Sequence, residues 1–457
     1  ALVAAASSSS PAEASGAVVG TLPGDPGSCP LRLIAEGGMR APEGGTFRSF
    51  RTANAKINDL GVVAFYDRLN GVDQDEVLMT WDSGILRTLV RGCGGPSGTG
   101  SDCGDPTPIG GTYSIFYQGT VSPPSINSAG DIAFFAGVIG GSSPQGLFLY
   151  RQASGAIESI AALADASPQG GTFDLIGPPV LTDGGDIFFS ARDVEAPEET
   201  YLVRWRSGTL TRIIGPGDTV VGGSLIDRVP GGLLIVDGLR LLLGPIPFIR
   251  DDGSLLVNVR ADGIFGILES TDVGDRWIVR TGDPENGGDT VQSFRSAIVR
   301  GGRYAFSSGD VAGIFLGTPG NWQSIWRQGD LVDGSPLDAF SSIGSNRPTL
   351  DDFGQFTLAF RVLDEGLPSS RLLRWNEENG LFVLARTGEA APNGGLFSSF
   401  SPFMMVNARG DALVEADILR DGQFFGALYV LENCLAGQIF AGTFEDGTTD
   451  AWSQTVP

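Results

Sequence analysis

The sequence contains no histidine, and Lys56 is its only lysine. Histidine is the side chain that most often exchanges protons near neutral pH, so its absence excludes Ser-His-Asp and Cys-His mechanisms. Basic residues number 30 against 53 acidic ones, which leaves a net charge of −23. A surface of that charge repels nucleic acid and anionic membranes, and we expect neither as a partner.

Long hydrophobic runs are also missing. The most apolar stretch, residues 232–249, is interrupted by Asp237, Arg240 and two prolines, whereas a membrane-spanning helix needs roughly 20 apolar residues. We therefore predict no membrane span. The chain begins with alanine and has no basic leader segment. This start is typical of a mature product whose signal peptide has been cleaved, so we predict export to the cell surface or the extracellular space.

A turn of the form Asn-x-x-Gly, followed at once by an apolar strand, recurs along the chain, with asparagine in three of seven copies and another residue at that position in the other four. Asn bonds its own backbone in such turns, and glycine accepts a positive φ. The spacing between successive turn glycines is 69, 55, 68, 49, 52 and 56 residues, and a motif at such intervals predicts a repeat architecture. The seven glycines are Gly61, Gly130, Gly185, Gly253, Gly302, Gly354 and Gly410.

Each repeat contains about four short strands. After the turn strand come a second strand, as at residues 77–81 or 201–205, and a third, as at 86–90 or 210–214. The phrase Pro-x-Gly-Gly-Thr-Phe, at residues 42–47 and 168–173, closes the unit. Four strands separated by turns are typical of a propeller blade, which buries its faces by stacking on its neighbours. We predict an all-β, seven-bladed β-propeller; an array of β-sandwiches or a β-solenoid is the alternative.

The four cysteines support a closed ring. Cys93 and Cys103 flank a Gly/Ser-rich insertion, which predicts a local disulfide. Superposed repeats place Cys29 and Cys434 side by side in one hairpin, where the last unit lacks its fourth strand and residues 31–35 supply one. We predict that the N-terminal strand completes the last blade and that a Cys29–Cys434 disulfide secures it, in an oxidising compartment. A metal pair is the alternative, although it lacks further ligands.

These boundaries divide the chain into three parts. Residues 1–28 form an N-terminal extension that could be an assembly arm, residues 29–434 form the propeller, and residues 435–457 form a C-terminal tail. The insertion at residues 225–243 predicts an apolar hairpin that either caps the ring or contacts a partner.

The repeat resembles that of a known protein family. In tandem, Asn-x-x-Gly-x-x-Ala-Phe, intact at residues 58–65 and 127–134, resembles the repeats of secreted bacterial NxxGxxAF proteins. The order of turn, glycine and Ala-Phe strand is also similar to that of TolB-type propellers. The resemblance covers residues 29–434 and implies a propeller fold and secretion. It implies no catalytic residues.

Carboxylates are the remaining candidates for chemistry. Acid pairs work as general acid and base in glycosidases, but two of the pairs here lie inside the repeat turn, where a turn role is simpler. The run that starts at Asp73 has the rhythm of a calcium loop without its other ligands. We predict no catalytic residue, no cofactor and no metal. The groups considered are Asp73, Asp75 and Glu76; Asp251 and Asp252; and Asp351 and Asp352.

Four tryptophans recur at blade strands, and we predict that they pack in the core rather than form a sugar-binding platform. They are Trp81, Trp205, Trp326 and Trp375.

With no catalytic set and an extension at each end, the sequence predicts an exported structural or interaction protein, not an enzyme. It would assemble with copies of itself at the cell surface or in an extracellular fibre through its terminal extensions. The alternative is a propeller that binds or degrades polysaccharide.

Overall fold

The structure is a computed structural model of the 457-residue chain. It describes residues 19–21, 30–48, 55–94, 103–116, 123–229, 232–236, 239–243, 248–249, 254–271, 274–284, 290–291, 296–308, 313–337, 349–364, 367–378, 380–401 and 404–433. The described chain is built mainly of antiparallel strands, with one turn of 3-10 helix at Val221–Gly223. No helix in these ranges is long and apolar enough to cross a membrane.

The first two strands of the described residues belong to the last blade, and blades 1 to 7 then follow in sequence order. The N-terminal strands are β1 (Val19–Thr21) and β2 (Pro30–Glu36). Blade 1 contains β3 (Thr46–Phe47), β4 (Ala55–Ile57), β5 (Val63–Asn70), β6 (Glu76–Asp82) and β7 (Ile85–Gly92). Blade 2 contains β8 (Thr112–Phe116), β9 (Ser125–Ile126), β10 (Ile132–Ile139), β11 (Gln145–Tyr150) and β12 (Ile157–Ala162).

The middle of the chain forms blades 3 and 4, and the predicted hairpin interrupts blade 4. Blade 3 contains β13 (Phe173–Ile176), β14 (Val180–Leu181), β15 (Ile187–Asp193), β16 (Thr200–Arg206) and β17 (Thr209–Ile214). Blade 4 begins with β18 (Ile226–Arg228), followed by the separate hairpin β19 (Gly232–Val236) and β20 (Leu239–Leu243). It continues with β21 (Phe248–Ile249), β22 (Leu255–Ala261), β23 (Ile264–Thr271) and β24 (Gly274–Arg280).

The last third forms blades 5 to 7. Blade 5 contains β25 (Ser296–Arg300), β26 (Arg303–Ser308), β27 (Gly313–Thr318) and β28 (Asn321–Arg327), and a small hairpin follows with β29 (Leu331–Val332) and β30 (Ser335–Pro336). Blade 6 contains β31 (Phe356–Asp364), β32 (Leu367–Asn376) and β33 (Gly380–Arg386). Blade 7 contains β34 (Leu396–Phe400), β35 (Met405–Val406), β36 (Ala412–Arg420) and β37 (Gln423–Leu431), together with β2 and β1.

Blade 2 shows how the repeat folds. Its first strand comes in two pieces, because β8 pairs with the far half of β10 and β9 with the near half. Strands β11 and β12 follow in sequence order. Strand β10 is buried along its length except at Ile139, and Phe134 and Phe135 point into different clusters between blades. Neighbouring blades therefore cover both faces of the sheet, as the apolar strands predict, and the seven-bladed propeller is confirmed.

The ring closes as predicted. Strand β2 pairs antiparallel with β37, with Leu31 opposite Leu431, and the N–H of Glu432 donates to the carbonyl oxygen of Pro30 at 3.1 Å. Strand β1 adds a further strand to the outer edge of β2 in the same chain. The N-terminal extension thus contacts its own ring at Val19–Thr21. Cys29 and Cys434 lie outside the described residues.

Candidate functional site

The repeat asparagine has two structural roles. In blade 1 the side-chain oxygen of Asn58 accepts hydrogen bonds from the N–H groups of Leu60 and Val62, at 3.1 and 2.9 Å, and so holds its own turn. Its side-chain nitrogen donates to the carbonyl oxygen of Asn127 in blade 2 at 2.8 Å. The amide of Asn127 donates in turn to Thr182 of blade 3 at 3.4 Å. The turn was predicted from the sequence, but the bond to the next blade was not.

The acid pair of blade 6 belongs to the same set of turns. Asp351 occupies the asparagine position, and its Oδ1 accepts from the N–H groups of Phe353 and Gln355 at 2.9 and 2.8 Å. Burial raises the pKa of Asp351 to about 6. The N–H of Asp352 donates to the carbonyl oxygen of Ala408 in blade 7 at 3.1 Å. The pair therefore has the turn role that the sequence predicts. Its counterparts Asp251 and Asp252 lie outside the described residues.

The four tryptophans lie in the core. Each is at most 8% exposed and packs in a cluster between blades. Trp326 meets Phe360 edge to face with ring centroids 4.6 Å apart, and Trp375 meets Phe356 at 5.5 Å. They offer no exposed ring on which a sugar could stack.

Two of the acids of blade 1 hold the start of the insertion. Cys93 and Cys103 form the predicted disulfide. The Oδ1 of Asp75 accepts from the N–H of Gly94 at 2.7 Å, and the fully buried Glu76 accepts from Nε of Arg68 at 2.5 Å. Within the described ranges no three His, Cys, Asp or Glu side chains come together as a metal site.

A recurring acid identifies how long the insertion is. In five blades the carboxylate that follows the last strand accepts a hydrogen bond from the backbone N–H three residues earlier. In blade 1 the equivalent bond, from the N–H of Arg91 to the carboxylate of Asp105 at 2.9 Å, spans 14 residues. Blade 1 therefore carries 14 − 3 = 11 extra residues, closed by the disulfide. The equivalent pairs are Ala162 with Asp165, Gly215 with Asp218, Arg280 with Asp283, Arg327 with Asp330, and Arg386 with Glu389.

A cavity of about 390 Å³ lies beside this insertion, which we call the blade 1 cavity. Its walls come from the loop before β3, the loop between β5 and β6, strand β7 and the disulfide. Its lining combines polar groups with an apolar floor. The lining residues are Glu43, Gly44, Asp73, Gln74, Thr88, Arg91 and Cys103, with Leu69, Val72 and Val77 as the floor.

Gly45 follows the lining residue Gly44 and packs against the loop that carries Val72. Its φ is +73°, and a Cβ there would lie 2.9 Å from the carbonyl oxygen of Asn70 and 3.1 Å from a methyl group of Val72. The second glycine of the Pro-x-Gly-Gly phrase is thus required for both conformation and space. It lets the loop before β3 close onto the loop after β5.

The polar groups of the blade 1 cavity differ in how they are engaged. The guanidinium of Arg91 lies 3.1 Å from Glu43 and 3.5 Å from Asp105, so two carboxylates offset its charge. In the described part of the chain, the side chains of Asp73, Gln74 and Thr88 make no hydrogen bond or ion pair. A carboxylate, an amide and a hydroxyl therefore line a concave site and are available to a ligand.

Comparison with known families assigns the chain. Residues 126–426, well over half of the chain, match a family of unknown function, DUF7453. The chain belongs to the DUF7453 family. No curated protein matches the sequence. Because the matched family carries no described activity, membership leaves the function of the blade 1 cavity open to a proposal.

Solved structures show distant similarity to this DUF7453 member. A puromycin-hydrolysing peptidase of Mycobacterium tuberculosis matches with a TM-score of 0.44 and 11% identity over 83% of this chain and 52% of the peptidase, so the chain spans about half of that protein. The β-propeller domain of Cps50 (Swd1) from Myceliophteria thermophila matches at 0.35 and 10% over 88% and 99% of the two chains. The Aleuria aurantia lectin with α-methyl-L-fucoside matches at 0.31 and 11% over 74% and 96%.

Proposed function

We propose that this protein is an exported interaction protein rather than an enzyme, and that copies of it join through the N-terminal extension. The observation that carries the proposal is the pairing of β1 with the outer edge of β2. A strand edge that accepts Val19–Thr21 from its own chain offers the same backbone groups to the same segment of another copy. The short pairing, from Val19 opposite Arg32 to Thr21 opposite Pro30, makes such an exchange inexpensive.

Two features support export. The Cys93–Cys103 disulfide fits an oxidising compartment. The tandem Asn-x-x-Gly-x-x-Ala-Phe phrase resembles the repeats of secreted NxxGxxAF proteins and TolB-type propellers. Fractionation of the native host should recover the protein outside the cytoplasm, and its recovery from the cytoplasm with both thiols reduced would contradict export.

Deletion of residues 1–21 tests assembly. We expect the full chain to form oligomers or fibres, seen by light scattering and electron microscopy, and the deletion variant to remain a monomer with an unchanged β-sheet circular dichroism spectrum. A deletion of residues 435–457 separates the contributions of the two extensions. Oligomers that persist undiminished after removal of residues 1–21 would show that the N-terminal arm does not join the copies.

A second candidate function is saccharide binding, and the blade 1 cavity favours it. Small-ligand sites are concave, contain apolar surface and offer a few well-placed polar groups. The cavity has these properties, with Asp73, Gln74 and Thr88 above a floor that includes Leu69 and Val77. A glycan array probed with the intact protein tests this function, and the absence of any bound glycan would rule it out.

A further inference from the structure

We infer that the blade 1 cavity is the saccharide site and that it takes amine-bearing or neutral sugars while rejecting uronates. The inference rests on the second proposed function. It identifies the place of binding, the residues involved and the charge of the ligand.

The wall of the cavity at Cys103 is specific to blade 1. The 11 extra residues between Arg91 and Asp105 have no counterpart in the five blades where the equivalent bond spans three residues. The disulfide brings Cys103 into the cavity wall. Those five blades fold without such an addition, so the disulfide-closed insertion and the cavity beside it point to a role beyond stability.

Side chains of blade 1 hold the start of the insertion in place. Glu76 is 0% exposed and binds Arg68, whose Nη2 also donates to the carbonyl oxygen of Gly94 at 2.9 Å. Asp75 accepts from the N–H of the same glycine at 2.7 Å. Three side chains thus fix the residue next to Cys93. Because the disulfide joins Cys93 to Cys103 in the cavity wall, this anchoring reduces the conformational cost of binding a ligand against that wall.

Three polar side chains of the cavity lining are available to a ligand. The carboxylate of Asp73 accepts hydrogen bonds, the amide of Gln74 both donates and accepts, and the hydroxyl of Thr88 does the same. Such a set matches the vicinal hydroxyls of a sugar, which also donate and accept. The apolar floor of Leu69 and Val77 suits the C–H face of a sugar ring. A volume of about 390 Å³ lies within the range of small-ligand pockets, about 300–1,000 Å³.

The lining of the cavity carries a negative charge. Glu43 and Asp73 are two carboxylates of the lining, and Arg91 is its one cation. Asp105 also binds Arg91 from behind. The local charge is negative on a protein whose net charge is −23. A carboxylate-bearing sugar is therefore repelled, whereas a protonated amine gains a charge-assisted hydrogen bond to Asp73.

Titration calorimetry at pH 6 with three probes tests the inference: a glucosamine oligomer, a glucose oligomer and a galacturonate oligomer of equal length. We expect the glucosamine oligomer to bind most tightly, the glucose oligomer more weakly and the galacturonate oligomer not at all. Tightest binding of the galacturonate oligomer would overturn the charge argument. If the intact protein binds none of the probes and no glycan on an array, saccharide binding itself fails.

Matched variants then locate the site. Asp73→Asn should weaken glucosamine binding about tenfold, the equivalent of about 1.4 kcal/mol, and should remove the preference over the glucose oligomer. Thr88→Val should weaken both. Asp421→Asn removes the same charge from an exposed turn of blade 7, at a φ of 52° that Asn also adopts, and should change neither. If the intact protein binds but Asp73→Asn and Thr88→Val bind unchanged, the site is wrong while saccharide binding stands.

The disulfide gives an independent measurement. The double variant Cys93→Ser/Cys103→Ser should weaken binding of the glucosamine oligomer severalfold, because the wall that contains Cys103 loses its anchor. Circular dichroism on the same samples checks that the propeller remains folded. Unchanged binding by a folded double variant would contradict a role of the disulfide in the site.

Discussion

The side-chain nitrogen of Asn407 donates to the carbonyl oxygen of Asn58 at 2.9 Å and so joins blade 7 to blade 1. At the same joint the N–H of Ala408 donates to the carboxylate of Asp59 at 2.7 Å. The amide of Asn58 continues in the same direction to Asn127 of blade 2. The ring is therefore closed twice, by turn asparagines near its axis and by the pairing of β2 with β37 within blade 7.

Replacement of Asn407 by alanine tests the inner closure. Asn407 is 1% exposed; its oxygen accepts from the N–H of Asp411, and its nitrogen donates to Asn58 and to Asp411. Loss of these bonds leaves buried groups unpaired, so we expect the free energy of unfolding to fall by about 2–4 kcal/mol. Urea denaturation measures the change. Asn70→Ala, at an exposed strand end, is the control and should cost under about 0.5 kcal/mol. Equal losses in both variants would refute the inner closure.

The sequence predicted the elements whose causes are local. A turn with Asn and Gly, an apolar strand and a glycine-rich connection recur in order, and each has its own backbone chemistry. The shortage of one strand at the end and the surplus of one at the start predicted the pairing of β2 with β37. The local disulfide of Cys93 and Cys103 followed from their position at the two ends of a Gly/Ser-rich loop.

What the sequence missed depends on contacts between units. The carbonyl oxygen that accepts from the side-chain nitrogen of Asn58 lies 69 residues away in the next blade, and the motif does not predict this partner. The blade 1 cavity needs two loops and strand β7 to meet. The sequence offers Asp73 only as part of a calcium-like run and Thr88 as part of no motif, so it does not bring these two side chains together. The acid that follows the last strand in six blades, such as Asp165 or Asp283, could have been found by aligning the repeats on their last strands.

Asp351 makes the stability of the protein depend on pH. Burial raises its pKa from 3.8 in the unfolded chain to about 6 in the folded protein. Above pH 6 the folded protein holds a buried charge, and stability rises as pH falls from about 7 towards 4, because the folded state binds the proton more tightly.

We therefore expect Asp351→Asn to stabilise the protein at pH 8 by on the order of 2–3 kcal/mol and to have little effect near pH 4. The substitution also restores the residue type of Asn58 and Asn407. Urea midpoints measured across this pH range follow the difference. Asp352→Asn, at a side chain that is 52% exposed, is the matched control. A stability difference that does not vary with pH would show that Asp351 does not titrate as described.

Glu269 joins blades 4 and 5. The carboxylate is 2% exposed; it accepts from the hydroxyl of Tyr304 at 2.9 Å and from Nε of Arg276 at 2.5 Å. Glu377 forms a second Glu–Arg pair, with Arg303 at 2.8 Å, but its side chain is 69% exposed.

The two pairs should differ in their effect on stability. We expect Glu269→Gln to lower the free energy of unfolding by about 1–2 kcal/mol, since it weakens two charge-assisted bonds to a buried carboxylate. Glu377→Gln should change it by less than about 0.5 kcal/mol, because water screens an exposed pair. Denaturant midpoints of the two variants give the comparison. If Glu377→Gln costs as much as Glu269→Gln, burial is not what gives the inter-blade pair its strength.

The predicted Cys29–Cys434 disulfide would secure the outer closure. Both cysteines lie outside the described residues, but Leu31 pairs with Leu431, and the N–H of Glu432 donates to Pro30, at the adjoining ends of β2 and β37. We expect peptide mapping under non-reducing conditions to link Cys29 to Cys434.

A crosslink that closes a loop of roughly 400 residues contributes on the order of 5 kcal/mol in the chain-entropy model. The variant Cys29→Ser/Cys434→Ser should therefore unfold at lower urea than Cys93→Ser/Cys103→Ser, whose cysteines are 10 residues apart. A peptide that links Cys29 to Cys93 or Cys103, or two free thiols in the native protein, would contradict this disulfide and leave the ring closed by β2 and the turn asparagines alone.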